Sequence, residues 1–256
     1  MRRRIMAANW KMYKTASQTT AFFEKFIPLA KDVDHCEIVV FPTSLCIDAA
    51  VKAAQANPVK GGPVQVGGQN LYWGREGAYT GEISGSMLSD AGATWTLVGH
   101  SERRQYFHET DADVLKKTHA AIDAGLTPLI CLGERLEEYI AEETDEVLVR
   151  QFAAGVAGLT EEQFAKVAIA YEPVWAIGTG KTATPAIASS AHKLIRAEAE
   201  KRFGSEAARS LSILYGGSVK PDNIEGLMNE DEIDGALVGG ASLDPVSFSK
   251  LVCAAR

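Results

Sequence analysis

Cysteine is scarce. The four present, Cys36, Cys46, Cys131 and Cys253, are scattered over 256 residues with no C-x-x-C pair. That spacing argues against a disulfide framework and makes reduced thiols in a cytosolic protein the expectation. Cys131 lies inside the apolar run Leu129-Ile130-Cys131-Leu132 and reads as a small buried hydrophobe. Positive charge is also short, 26 Lys+Arg against 33 Asp+Glu, for a net charge of -7. Nucleic acid and anionic membrane are therefore not expected partners, and an anionic substrate would need locally positive groups. Long apolar runs are missing as well. Nothing approaches the ~20 residues of a membrane span. Ile5-Met6-Ala7-Ala8, behind Arg2-Arg3-Arg4, stops at Asn9, short of the roughly 7–15 residues of a signal-peptide core. A soluble, cytoplasmic protein is expected.

No Pro/Ser-rich linker or low-complexity tract divides the chain, so one domain over residues 1–256 is expected. What is present repeats. Short apolar runs begin near Ile5, Glu37, Val64, Thr94, Thr127, Val167, Leu211 and Gly235, each followed by a helical pattern. Runs such as Ile38-Val39-Val40-Phe41 are continuous rather than alternating, as in parallel strands buried on both faces. Asp111 is expected to cap a helix ending at Gly125, Thr184-Pro185 to open the longest helix, running to Gly204, and Asp244-Pro245 to open the last. Eight βα units in about 250 residues predict an α/β fold, a single (β/α)8 barrel. An open doubly wound sheet would more naturally carry G-x-G-x-x-G after its first strand, which is absent.

In such barrels chemistry sits at the C-terminal ends of the strands. Those ends carry Asn9-Trp10-Lys11, Gln69-Asn70, Gly99-His100-Ser101-Glu102-Arg103, Gly133-Glu134, Glu172, Tyr215-Gly216-Gly217-Ser218 and Gly239-Gly240. The most informative is the sixth. A buried strand delivering Glu172 to its end would hold a general base still. The stiff joint Pro173-Val174-Trp175, the small-residue tip Ala176-Ile177-Gly178-Thr179-Gly180 and the second joint Lys181-Thr182-Ala183 have the composition of a lid. The glycine turns after strands seven and eight fall where barrels frequently bind phosphate. The N–H groups of Ser218, Gly239 and Gly240, joined by Gly178, are expected to cradle a dianion, with Lys11 supplying the positive charge.

Over nearly its whole length the chain resembles the triosephosphate isomerases. The motifs that carry this are Asn9-Trp10-Lys11-Met12, Gly77-Ala78-Tyr79-Thr80-Gly81-Glu82, Val98-Gly99-His100-Ser101-Glu102-Arg103-Arg104, the segment from Val167 to Ala183, Tyr215-Gly216-Gly217-Ser218-Val219 and Leu237-Val238-Gly239-Gly240-Ala241. The resemblance implies a phosphorylated triose as substrate and interconversion of dihydroxyacetone phosphate with glyceraldehyde 3-phosphate, a step of glycolysis and gluconeogenesis, with no metal or organic cofactor. It implies Glu172 as the base, His100 as the donor to an enediolate oxygen, Lys11 as the cation beside it and Asn9 as a hydrogen-bonding partner of the substrate. Glu102, with Ser101 beside it, is implied as support behind Lys11 or His100. A homodimer is implied too, with the aromatic-rich loop 69–83 and Thr80 at its tip inserted into the partner.

Three positions depart from the family pattern: Ala8 where Gly is usual, Tyr13 where Asn or His is usual, and Arg135. None is a proposed catalytic group. A metal-dependent pentose-phosphate epimerase would need several strand-end His and Asp ligands, and only His100 of five histidines follows a strand. A Schiff-base aldolase would want lysine where Glu172 stands. A non-catalytic barrel would be expected to have lost Lys11, His100, Glu172 or the lid.

Overall fold

The computed structural model describes residues 2–177 and 183–255. Eight parallel strands close into a barrel in sequence order: β1 (Ile5–Asn9), β2 (Glu37–Phe41), β3 (Gln65–Gly68), β4 (Trp95–Val98), β5 (Thr127–Leu132), β6 (Ala168–Tyr171), β7 (Ile213–Tyr215) and β8 (Gly235–Val238). Closure is made by β1, which pairs with both β2 and β8. Each strand begins within two residues of its expected position.

Continuous apolar runs form these strands because both faces are covered. Ile5, Ala7, Leu129, Cys131, Ala168 and Ala170 belong to one buried cluster inside the barrel. Met6, Ala8, Ile130, Leu132, Ile169 and Tyr171, the alternate residues, pack in a second cluster with helix residues such as Phe22, Phe26 and Phe152. A two-residue side-chain period on a closed barrel gives this division.

The helices start where polar caps satisfy their first N–H groups. Thr184 and Asp244 cap as expected, accepting from Ile187 N and Ser247 N. One expectation needs correction. The helix Asp111–Asp123 is capped by Thr110, not Asp111; the Thr110 hydroxyl accepts from Asp113 N and the Asp113 carboxylate accepts from Thr110 N. Asp111 becomes the first helical residue, where its charge suits the helix dipole. The longest helix breaks at Gly204 as expected, where φ is 83° and ψ 167°, and a second helical segment runs on from there to Ser210. Glycine is permissive enough to turn the chain there and let a short second segment follow. Among the described residues no helix is long and apolar enough to cross a membrane.

Candidate active site

Strand phase aims the acid. Ala168 and Ala170 point into the barrel, so Glu172, two residues on, points into its mouth. By the same count Asn9 follows Ile5 and Ala7, and Gly216 follows Leu214. Glycine at Gly133 and Gly216 makes room for the acid. A Cβ at Gly133 would lie 1.8 Å from the Glu172 carbonyl oxygen, and one at Gly216 would lie 2.8 Å from Glu172 Cγ.

The Glu172 side chain is 2% exposed, and both its oxygens are engaged. Oε2 accepts from Ser101 N at 2.8 Å, and Oε1 lies 2.9 Å from His100 Nε2. Burial pushes the carboxyl pKa up, but His100 and the Ser101 amide outweigh it and hold the pKa below the usual value. His100 is the cap of the helix Ser101–Phe107, and its Nδ1 accepts from Glu102 N at 3.2 Å. Burial pushes the imidazole pKa down, and the Glu172 carboxylate outweighs it and pulls the pKa up. The helix terminus opposes that pull, because a protonated Nδ1 has no lone pair for the Glu102 amide. One tautomer satisfies every partner: Nε2–H donates to Glu172 while Nδ1 accepts.

Lys11 stands across the mouth in a left-handed conformation, φ 51°. For a non-glycine residue this costs about 1–2 kcal/mol, and side chains from two strand ends hold it. Asn9 Oδ1 accepts from Lys11 N at 2.9 Å, while Gln69 Nε2 donates to the Lys11 carbonyl and to the Phe41 carbonyl, both at 2.8 Å. The Lys11 ammonium donates to Glu102 Oε1 at 2.6 Å. Glu102 Oε2 lies 3.8 Å from His100 Nδ1, beyond hydrogen-bond range, so Glu102 supports Lys11 by its side chain and His100 by its backbone.

A cavity of about 290 Å³ joins these groups to the glycine turns, with Asn9, Lys11, His100, Glu172, Ile177, Ser218, Gly239 and Gly240 in its wall. The Lys11 chain passes Gly239 so closely that a Cβ there would lie 3.4 Å from Lys11 Cε. Gly240 opens a 3-10 turn to Ser242, and the first N–H groups of such a turn have no acceptor within it. N–H groups so placed suit an anion.

Of the expected lid residues, Gly178, Thr179, Gly180, Lys181 and Thr182 lie outside the described residues. The first joint is described. Pro173 caps a 3-10 turn over Val174–Ala176. Trp175 Nε1 donates to Glu134 Oε1 at 2.6 Å, Tyr171 OH donates to the same oxygen at 3.1 Å, and Tyr139 stacks on Trp175 with centroids 4.2 Å apart. Burial raises the Glu134 pKa, and the bonds from Trp175 and Tyr171 counter it. Ala183, at the far end, is buried. The sequence pointed to neither Glu134 as the anchor of this joint nor Gln69 as the strut beneath Lys11. Both stood at strand ends, but nothing in their neighbourhoods named their partners.

A closed parallel barrel with a buried carboxylate, a capped histidine and a lysine beside two glycine turns defines a (β/α)8-barrel enzyme of acid–base chemistry. The comparisons narrow the class. Residues 4–255 match the family model for triosephosphate isomerase. The triosephosphate isomerase of Solibacter usitatus is 58% identical over 98% of this chain and 99% of that protein. That of Caldanaerobacter subterraneus subsp. tengcongensis is 48% identical over 98% and 99%. The crystal structure of triosephosphate isomerase from Bartonella henselae superposes with a TM-score of 0.85 at 36% identity, covering 98% of each chain. The chain belongs to the triosephosphate isomerase family, and it is an isomerase.

Proposed function

We propose that Glu172, His100, Lys11 and Asn9 carry out triose-phosphate isomerisation, the interconversion of dihydroxyacetone phosphate and D-glyceraldehyde 3-phosphate. A glutamate base beside a neutral histidine is the established arrangement of this family. Glu172 takes a proton from the carbon beside the carbonyl, and negative charge moves to the carbonyl oxygen. His100 Nε2–H and the Lys11 ammonium meet that charge, and Asn9 hydrogen-bonds the substrate oxygen. The proton then returns to the neighbouring carbon. The substrate is neither oxidised nor reduced overall, so the reaction consumes no cofactor. Ser218, Gly239 and Gly240, with Gly178, receive the phosphate, and Ser101 and Glu102 hold His100 and Lys11 in place. The segment 173–183 excludes water while the enediolate exists.

The observation that carries this reading is the 2.9 Å contact between a buried carboxylate and a helix-capping imidazole in the wall of the cavity that holds Lys11 and both glycine turns. A coupled assay on glyceraldehyde 3-phosphate, with and without a chelator, tests it. Turnover insensitive to chelation supports the isomerase. Turnover abolished by the chelator would favour a metal-dependent epimerase on the same barrel, and none at all a non-catalytic barrel.

The chain acts as one domain over residues 1–256, in the cytoplasm, and as a homodimer. Support for the dimer comes from loop 69–83. Residues 75–82 are exposed throughout, and Tyr79, 48% exposed, packs on Tyr72, which stacks on Trp73. A cleft of about 980 Å³ beside the catalytic groups includes Lys11, Glu102 and Tyr106, and Met12, Tyr13 and Phe107 are also exposed. Exposed apolar groups of this extent mark an interaction surface, and a two-fold pairing covers loop and cleft together.

A further inference from the structure

Lys14 plays no part in the chemistry above, yet it touches both halves of the site. It follows Lys11 in the turn after β1 and shares its left-handed backbone, with φ 71°. The ammonium donates to the Leu243 carbonyl at 2.8 Å, and the Leu243 amide donates to the Gly240 carbonyl at 3.1 Å. Two hydrogen bonds thus lead from Lys14 to the turn that opens at Gly239–Gly240. On the other side the ammonium lies over the rings of Trp10 and Phe22, 5.2 and 5.1 Å from their centroids. Trp10 is fully buried between Asn9 and Lys11 in sequence, so it anchors the turn to the barrel wall. The Lys14 carbonyl is held as well, accepting from Cys46 Sγ at 3.5 Å. Burial lowers the Lys14 pKa, and the nearby Asp244 carboxylate works against that shift.

We propose that Lys14 is a positioning residue for the isomerisation, clamping the turn that carries Asn9 and Lys11 onto the glycine turn after β8 and so fixing the gap between the Lys11 ammonium and the phosphate-binding amides. The inference rests on the phosphate site proposed above. Neither Glu172 nor His100 stands on the clamped turn, so the clamp bears on the phosphate end of the substrate more than on proton transfer. A clamp of this kind matters because a 1 Å misplacement can cost on the order of 100-fold in rate.

The test compares wild type with Lys14→Met, which keeps the chain length and loses the charge and the donor, and with Lys14→Arg, which keeps both. Three quantities are measured: kcat and KM on glyceraldehyde 3-phosphate, turnover of glyceraldehyde without its phosphate, and inhibition by inorganic phosphate. Lys14→Met is expected to raise KM and weaken phosphate inhibition by about 10-fold, and to lose about 10-fold more on the phosphorylated substrate than on glyceraldehyde. Lys14→Arg is expected to recover most of that loss. If Lys14→Met does not fold, Lys14→Gln carries the same comparison. Equal losses on the two substrates, or a lowered melting temperature with phosphate inhibition at the wild-type value, would overturn the inference. Lys11→Met is the reference arm: if it leaves phosphate inhibition unchanged, the phosphate site itself is misassigned. If it weakens inhibition and Lys14→Met does not, only the clamp fails.

Discussion

Glu172 and His100 meet each other across the barrel mouth: Oε1 of the one lies 2.9 Å from Nε2 of the other. In the proposed reaction these two are the base and the electrophile, and a carbonyl compound entering the mouth would take over both ends of their hydrogen bond. On that reading, a Glu172 turned toward the substrate carbon would weaken the pull that raises the His100 pKa, with the Glu102 amide still on Nδ1. The neutral ring is then favoured at the moment it donates. The alternative, a protonated imidazole facing the oxyanion, would sacrifice that amide bond.

Shortening the base tests its placement. Glu172→Asp draws the carboxylate back by about 1 Å, and kcat is expected to fall on the order of 100-fold with KM little changed. Steady-state kinetics decide it, and wild-type kcat in the variant would remove Glu172 from the role of base.

Crowding the base is a subtler test. Gly216 lies against the acid, and a Cβ there would sit 2.8 Å from Glu172 Cγ and 3.0 Å from the Tyr171 carbonyl oxygen. Gly216→Ala should therefore lower kcat by roughly 10- to 100-fold in a protein that still folds. Kinetics alongside circular dichroism separate displacement of the base from loss of the barrel.

Assembly can be read by size. Light scattering is expected to give twice 27.5 kDa, and Thr80→Arg should dissociate the proposed dimer and lower activity, because in that dimer the partner's loop would cover the cleft containing Lys11 and Glu102. A fully active monomer at assay concentration would refute this.

Loop shortening tests the exclusion of water. An enediolate phosphate exposed to solvent eliminates its phosphate and yields methylglyoxal. Deleting Ile177 through Thr179 and bridging the gap should cut isomerisation and raise the share of substrate released as methylglyoxal and inorganic phosphate. A folded variant with the wild-type product ratio would end the lid proposal.

Acid stability should report on His192. This ring is fully buried, bonded through Nδ1 to the Glu232 carbonyl and set edge-on to Tyr171, and Nε2 is unpartnered among the described residues. Burial depresses its pKa from 6.5 to about 3. Above the ordinary value the ring is neutral folded or unfolded and contributes no slope. Between it and the depressed value only the unfolded chain takes the proton, so stability is lost as pH falls. The loss should reach about 2 kcal/mol by about pH 5. Urea titrations at about pH 7 and about pH 5 should show this slope in wild type and a shallower one in His192→Phe. An unchanged slope in the variant would mean other groups carry it.

The sequence by itself determined the architecture and named the candidate residues of the site. Eight apolar runs too continuous for half-exposed strands specify a parallel barrel, and the side-chain period of two then aims Asn9 and Glu172 into its mouth. Cap residues were readable where Pro follows them, at Thr184 and Asp244. At Thr110 and Asp111 two good caps stand side by side, and geometry alone chose between them. Gly204 read as an end because glycine breaks helices, but whether helix resumes beyond it depends on what the next segment packs against. Only the tertiary structure decided which groups touch. The Glu172–His100 bond, Gln69 under Lys11, Glu134 on Trp175 and Lys14 on Leu243 join residues brought together from different strands and loops. Their distances follow from barrel closure and register, and those are properties of the whole sheet. Local propensity names the groups that reach the mouth, and long-range packing sets the few ångströms between them on which the proposed proton transfer depends.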